Sequence, residues 1–326
     1  MRLIRFLLLL LVILAGIGVY RLSVPYQGFK DEVFVEIPHG TSTSGIGDIL
    51  KRAGVVRSSF DFQVARLAKR GQILQAGEYR FNQAATPLQV YERITRGDIF
   101  YFELVIPEGK NMFDIAAAAA ELGLFTADDF LKVARDPSLI RDLDPDATTL
   151  EGYLFPNTYR LNRKTTPERL CHTMVAKFRD VWKGLNTSAS VHDTVTMASL
   201  VEKEGKLTEE RPRIAAVFEN RLHIGMKLDC DPTTIYAALL AGRYKGVIHR
   251  SDLDSEDPYN TYRHAGLPPG PIANPGVASL KAAIQPSHTD ELYFVARADG
   301  SGGHQFSSNI ADHQVATEKY RRAISK

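Results

Sequence analysis

Arg2 and Arg5 stand ahead of "FLLLLLVILAGIGVY", an uninterrupted apolar run from Phe6 to Tyr20. In lipid, backbone N–H and C=O groups must satisfy one another, so such a run can only be a helix that enters or crosses a bilayer. Leu3, Ile4, Leu22 and Val24 lengthen it, and the "RLSVPYQG" that follows lacks the small-residue spacing that a signal peptidase needs. Residues 1–24 therefore read as a cytoplasmic tip and an uncleaved membrane anchor, with a cleaved signal as the other reading. Positive charge ahead of the run places the amino terminus in the cytoplasm and the body outside the plasma membrane, periplasmic or extracellular.

The exported body is long enough for two domains. In 326 residues, 40 Lys and Arg nearly cancel 38 Asp and Glu. No strong field is available to steer toward nucleic acid, and no basic stripe is interleaved with aromatics, so nucleic acid is excluded as a partner. Only Cys171 and Cys230 occur, far apart. They can pair, but they encode no disulfide scaffold. The nine histidines are scattered and no Cys and His spacing suits zinc, so neither a metal nor a cofactor is expected.

Two segments align as copies. "VEIPHGTSTSGIGDILKRAGVVRSSFDFQVAR" (35–66) falls on "LVIPEGKNMFDIAAAAAELGLFTADDFLKVAR" (104–135) at a constant offset, matching Ile37, Pro38, Gly40, Ile46, Gly54 and Arg66 with Ile106, Pro107, Gly109, Ile115, Gly123 and Arg135. The match continues more loosely, "GEYRF" (77–81) on "GYLF" (152–155) and "TPLQV" (86–90) on "TPERL" (166–170). Each copy opens as a strand stopped at Ile-Pro-x-Gly and carries two helical patterns parted at a glycine. We read a duplicated strand-helix-helix module over residues 30–185, with copies at about 33–97 and 102–180. It serves either as a spacer or as a polymer-binding element.

Past about residue 186 the texture changes to a third region, 186–326. Helical periodicity covers 192–204 and 209–224. Asp231 followed by Pro232 reads as an N-cap and first helical residue, opening a helix through Leu240. "SDLDSEDPYNTYRHAGLPPGPIANPG" (251–276) is too rich in Pro, Gly and Asn for helix or central strand, and long ordered loops tend to be functional. "ELYFVAR" (291–297) predicts a strand, and 309–325 a closing helix. The fold class is α+β, a mainly helical domain with a short sheet.

Within "MASLVEKEGKLTEER" (197–211), about 100° per residue puts Met197, Leu200, Val201 and Glu204 on one helix face, while Glu202 turns toward Val195 and Ala198. Glu204 points where the core is and is followed by Gly205, a helix stop. Burial there disfavours the charged carboxylate and makes a proton donor near neutral pH, as a glycosidase acid requires. The other reading is an ion pair of Glu202 or Glu204 with Arg211, Arg213 or Arg221.

"VEKEG", "ER" (210–211), "IAAVFENRLHIGMKLDCDPTTIY" (214–236), "YNTY" (259–262), "GLPPGPIANPG" (266–276), "SLKAAIQPSHTDELYFVA" (279–296) and "GGHQFS" (302–307) resemble, in order, the YceG-like family of endolytic murein transglycosylases. The resemblance covers essentially the whole chain, since that family also has an N-terminal anchor and a module likened to LysM. Cys230 departs from it, standing where a small polar residue is expected. The resemblance implies cleavage of the MurNAc to GlcNAc bond of peptidoglycan strands with 1,6-anhydro ends, with Glu204 as the catalytic residue. It also suggests peptidoglycan synthases as partners.

Around Glu204, Tyr259, Asn260, Thr261 and Tyr262 offer amide, hydroxyl and ring faces that either grip a sugar or hold their own loop together. Arg211 and Arg221 orient Glu204, bind substrate carboxylates, or pair structurally. His304 reads as a loop residue. Two rival functions remain open: a muramidase, whose second acid would have to be Asp229, Asp252 or Asp257, and a silent glycan-binding anchor that recruits synthases.

Overall fold

The computed structural model describes residues 2–69 and 71–324; Met1, Arg70, Ser325 and Lys326 lie outside the described residues. Backbone packing divides the chain into two compact units, Met1–Phe102 and Glu103–Lys326.

The first unit opens with α1 (Arg2–Ser23). Its Ile4–Ser23 portion, 20 residues, is long and apolar enough to cross a membrane. β1 (Val33–Ile37), α2 (Thr43–Arg52), α3 (Ser59–Ala68), β2 (Gly77–Phe81) and α4 (Pro87–Arg96) follow. β1 runs antiparallel to β2, with Val33 opposite Phe81 and Ile37 opposite Gly77. Alternation along the strands turns Val35, Ile37, Tyr79 and Phe81 inward, onto Leu50, Phe62, Val90 and Ile94 of the helices. Ser42, Ser58 and Thr86 begin the three helices by accepting a backbone N–H on their side chains.

The second unit starts with the same element order: β3 (Phe102–Val105), α5 (Met112–Glu121), α6 (Ala127–Ala134), a 3-10 turn (Pro137–Leu139), β4 (Thr158–Leu161) and α7 (Pro167–Leu185). β3 pairs with β4. "GEYRF" is β2, but its aligned partner "GYLF" is a turn, and "TYRL" (158–161) forms the strand instead. The reason is local. Gly152 has φ +88°, and a Cβ there would sit 2.5 Å from Pro271 Cγ, so this segment must turn beneath the proline-rich loop. "TPLQV" and "TPERL" both open helices, with Thr86 and Thr166 as caps and proline at the first helical position.

The remaining helices are α8 (Val191–Glu204), α9 (Arg211–His223, after a 3-10 turn Thr208–Glu210), α10 (Asp231–Leu240), α11 (Arg250–Leu253) and α12 (Val277–Ile284). β5 (Tyr293–Ala296), β6 (His304–Ser307) and α13 (Ile310–Ile324) complete the chain. α8, α9 and α12 pack together around Leu200, Val201, Ile214, Val217, Phe218 and Ala282. β5 pairs antiparallel with β6. Among the described residues the architecture is mixed α and β, mostly helical, with three two-stranded sheets.

Several boundaries differ from the sequence reading. α10 begins at Asp231, so Cys230 is the cap residue and Asp231 the first helical one. The stretch expected to be wholly irregular opens on one helical turn, α11, because Asp252 accepts the His249 N–H at 2.9 Å. The strand expected over 291–297 shortens to Tyr293–Ala296, where its partner β6 is available. α13 starts at Ile310, and Ser325, the expected end of the closing helix, lies outside the described residues. Cys171 and Cys230 are both free and buried.

The proline-rich loop is tied down through Asn274. Its amide donates to Glu151 Oε1 (2.8 Å) and to the Lys110 carbonyl (2.9 Å), and its Oδ1 accepts the Leu154 N–H (2.8 Å). Glu151, 1% exposed, accepts the Met112 N–H at 2.9 Å through its other oxygen. Burial, offset in part by the Met112 N–H, the Tyr236 hydroxyl and the Gly152 N–H, pushes the Glu151 carboxyl up to about 8. The folded state therefore holds this proton more tightly than the unfolded chain does, and stability falls as pH rises from about 4.5 toward about 8. The contribution reaches roughly 1.4 kcal/mol per pH unit inside that window. Thermal unfolding of the full-length protein should show this decline, and Glu151→Gln should flatten it; an unchanged slope would mean that Glu151 is already ionised in the folded protein.

Candidate active site

Glu204 is the last residue of α8, and Gly205 ends the helix. Gly205 stops it in an extended conformation (φ −86°, ψ 95°), not a left-handed one. Glycine is needed there for room: a Cβ would sit 3.0 Å from Arg211 Cγ and 3.1 Å from the Val201 carbonyl. The closeness of Arg211 has a second consequence. Its guanidinium grips Glu202, Nη2 to Oε1 at 2.7 Å and Nη1 to Oε2 at 3.2 Å, while Nε donates to the Gly205 carbonyl at 3.3 Å. Nη1 also approaches Glu108 Oε2 at 3.5 Å. Glu202 Oε2 further accepts the Gly276 N–H at 3.0 Å. The ion pair foreseen as an alternative thus exists, but it belongs to Glu202.

Glu204 is left with no cation in hydrogen-bond contact among the described residues. Arg213 is paired with Glu291, Nε to Oε2 at 2.6 Å, and lies over the Phe306 ring at 4.2 Å. Arg221 donates to the carbonyls of Leu292 and Leu228, both at 2.7 Å, and stacks over Tyr293 at 5.3 Å. The partner of Glu204 is the Cys230 thiol, which donates to Oε1 with Sγ at 3.3 Å. Burial is the largest influence on the Glu204 carboxyl and pushes it above the ordinary glutamate range. The thiol hydrogen bond and the positive fields of His304 and Arg221 pull it back, while Asp231 pushes it further up. This is the environment that a proton-donating carboxyl needs.

The "YNTY" residues divide between two roles. Asn260 is fully buried; its amide donates to the carbonyls of Ser255 (2.7 Å), Leu253 (3.0 Å) and Asp252 (3.3 Å), and its Oδ1 accepts the Tyr262 N–H (3.1 Å). Thr261, 1% exposed, accepts the Cys230 N–H on Oγ1 at 3.0 Å. Both therefore hold the loop and face away from solvent. Tyr259 and Tyr262 are half-buried. The Tyr262 hydroxyl donates to Asp231 Oδ1 at 2.6 Å, and the Tyr259 ring packs 5.1 Å from Tyr236. Arg211 and Arg221 both make structural pairings, with neither touching Glu204 directly.

His304 is more than a loop residue. Glu210 accepts from its backbone N–H and lies 2.8 Å from Nδ1, and its ring stands edge-on to Phe294 at 5.3 Å, so its field reaches Glu204 from a fixed position. Of the candidate second acids, Asp252 is buried and paired with Arg243 at 3.1 Å, and Asp257 accepts the Tyr259 N–H at 2.9 Å. Asp229 sits at φ +47° on the strained approach to α10. Sequence reading missed Cys230 as the partner of Glu204; the signal was present in its departure from the expected small polar residue beside Asp231-Pro232.

Comparisons with known proteins place the chain in a family. An endolytic murein transglycosylase of Bacillus subtilis (strain 168) is 36% identical over 312 residues, covering 89% of this chain and 85% of that protein. An endolytic murein transglycosylase of Streptococcus pneumoniae is 33% identical over 319 residues, covering 87% of this chain and 57% of its own longer length. The crystal structure of a yceG-like protein from Listeria monocytogenes matches with a TM-score of 0.56 at 34% identity, covering 88% of this chain and 99% of that one. The model of the YceG-like family matches residues 35–319, which takes in both compact units and Glu204, and this chain belongs to that family.

Proposed function

We propose that this protein is a peptidoglycan lytic transglycosylase that cuts glycan strands internally at the MurNAc to GlcNAc bond, with Glu204 as its catalytic acid and base. The observation that carries the assignment of the residue is a partly buried carboxyl at a helix end with a thiol, and no arginine, as its hydrogen-bond partner. The first step needs this group protonated, which its raised pKa favours. Glu204 gives its proton to the glycosidic oxygen as the bond from that oxygen to C1 of MurNAc breaks. The resulting carboxylate then takes the proton of the 6-hydroxyl of the same sugar while that oxygen bonds to C1 and closes a 1,6-anhydro ring. No water is consumed, and Glu204 ends as it began. One carboxyl suffices for both steps, in contrast to the paired carboxyls of ordinary glycosidases.

Tyr259 and Tyr262, half-buried on a loop stiffened from beneath by Asn260, are the residues we assign to sugar stacking. The two strand-helix-helix segments, likened to LysM, are assigned to holding the strand. The apolar α1 is assigned as a single-pass anchor in the plasma membrane that leaves the body outside, close to where synthases build new strands.

Digestion of purified sacculi and of nascent uncrosslinked glycan by the full-length protein in detergent, with mass spectrometry of the released ends, tests this reading. Anhydro ends are expected from the wild type, and Glu204→Gln should lower their rate by about 10² to 10⁴-fold. Reducing ends would instead establish a muramidase, and no product from either substrate would favour a binding anchor. Because the acting form at the first step is the protonated one, activity should decline as pH rises through the elevated pKa of Glu204. Glu202→Gln should behave differently: it takes the nearer of two carboxylates from a buried arginine that keeps Glu108 at 3.5 Å, so it should lower stability, by about 1 to 3 kcal/mol, while product that does form keeps its anhydro ends. Loss of melting temperature without a change of product separates the two glutamates.

A further inference from the structure

Cys230 occupies a position from which it can do little except hold Glu204. Its N–H is fixed by Thr261 Oγ1 at 3.0 Å, its carbonyl accepts the Thr233 hydroxyl at 2.7 Å, and the two threonine oxygens lie 2.9 Å apart. The backbone of residue 230 is thus clamped on both sides at the entry to α10. The side chain, 2% exposed, then points at one oxygen of Glu204, with Sγ 3.3 Å from Oε1.

We propose that Cys230 is a positioning residue for Glu204: its thiol proton holds Oε1, so Oε2 is the oxygen that releases and recovers the proton during the reaction. This rests on Glu204 being the catalytic group. A hydrogen on Oε1 would face the hydrogen of the thiol, whereas a hydrogen on Oε2 leaves Oε1 free to accept. Once Oε2 has lost its proton, the same contact becomes a hydrogen bond to an ion, which is stronger. Cys230 therefore supports the carboxylate in the middle of the reaction without the permanent charge of an arginine. Burial and the neighbouring Glu204 push the thiol well up, so it remains a donor throughout. Asp231 on α10, His304 on β6 and Arg221 on α9 also act on Glu204, but through their fields.

The relay also gives Thr261 a function. Its hydroxyl fixes Cys230, and Cys230 fixes Glu204, so a residue of the "YNTY" motif reaches the reaction without touching substrate.

The test is the pH dependence of kcat and KM for Cys230→Ala, Cys230→Ser and Thr261→Val in the full-length protein. It is run beside titration of the Glu204 carboxyl followed by the carbon resonance of δ-13C-labelled glutamate, assigned by its loss in Glu204→Gln. Cys230→Ala removes a donor that favours the carboxylate, so the Glu204 titration and the alkaline limb of kcat should both move up by about half to one pH unit, with KM within about twofold of wild type. Cys230→Ser, which keeps a donor, should bring both back to the wild-type position or below it. Thr261→Val, which keeps the thiol but frees its backbone, should shift in the direction of Cys230→Ala. Coincident titrations in all four proteins would overturn the proposal. Titrations that shift while Glu204→Gln retains full wild-type activity would uphold the contact but overturn its catalytic use together with the role of Glu204, a result separable from the first.

Discussion

A carboxyl partly withdrawn from water holds its proton more tightly unless a cation compensates its charge, and in the neighbourhood of Glu204 every nearby arginine is committed elsewhere. Three arginines lie in the same core, and each is committed: Arg211 to Glu202, Arg213 to Glu291, Arg221 to backbone carbonyls and the Tyr293 ring. Glu202, two residues earlier on the same helix, shows the alternative outcome, since its position on the helix surface delivers it to Arg211 and to the Gly276 N–H. Two chemically identical side chains, a paired anion and the carboxyl we propose as proton donor, are separated by about 200° of helical rotation.

The same geometry explains how α8 supports its surroundings. His192, Ser199 and Glu202 lie along one stripe of the helix, at intervals that return to nearly the same face. The His192 ring lies 3.1 Å from the Pro269 carbonyl, Ser199 Oγ accepts the Ile272 N–H at 3.1 Å, and Glu202 accepts from Gly276. A polar stripe therefore seats the proline-rich loop while Met197, Leu200 and Val201 fill the core on the other side. Asn274 and Glu151 secure the loop from beneath. A segment with no regular hydrogen-bonding pattern of its own is thereby tied down by side chains of α8, Asn274 and Glu151.

What could be read from sequence follows from range. The apolar run of α1, the face of α8 that carries Glu204, and the capping signals Thr86-Pro87 and Thr166-Pro167 are local, and periodicity or cap chemistry states them directly. Asn260 and Thr261 were legible as a motif but not as to direction. Polar side chains in an irregular segment look alike whether they face a ligand or satisfy carbonyls a few residues away. Cys230 and Glu151 depend on partners 26 and 39 or more residues distant, and no local pattern announces such contacts. The loose alignment of "GYLF" with "GEYRF" did not carry over into structure for a related reason: Gly152 serves the close approach of Pro271, a tertiary demand that overrides its alignment with Gly77.

A single carboxyl that acts first as acid and then as base faces opposing demands. A strongly raised pKa favours the first step and leaves an unstable anion for the second, whereas an adjacent arginine would stabilise the anion and forfeit the proton. In the role we propose for Glu204, the site meets both by grading its influences. Burial and Asp231 hold the proton on; the thiol, His304 and Arg221 ease its departure, and none of these brings a full positive charge into hydrogen-bond contact. His304 is itself tied to Glu210, which tempers its field. The weak donor Cys230 suits this compromise better than a strong one, because a contact that gains strength only when the carboxylate forms contributes mainly where the reaction needs it.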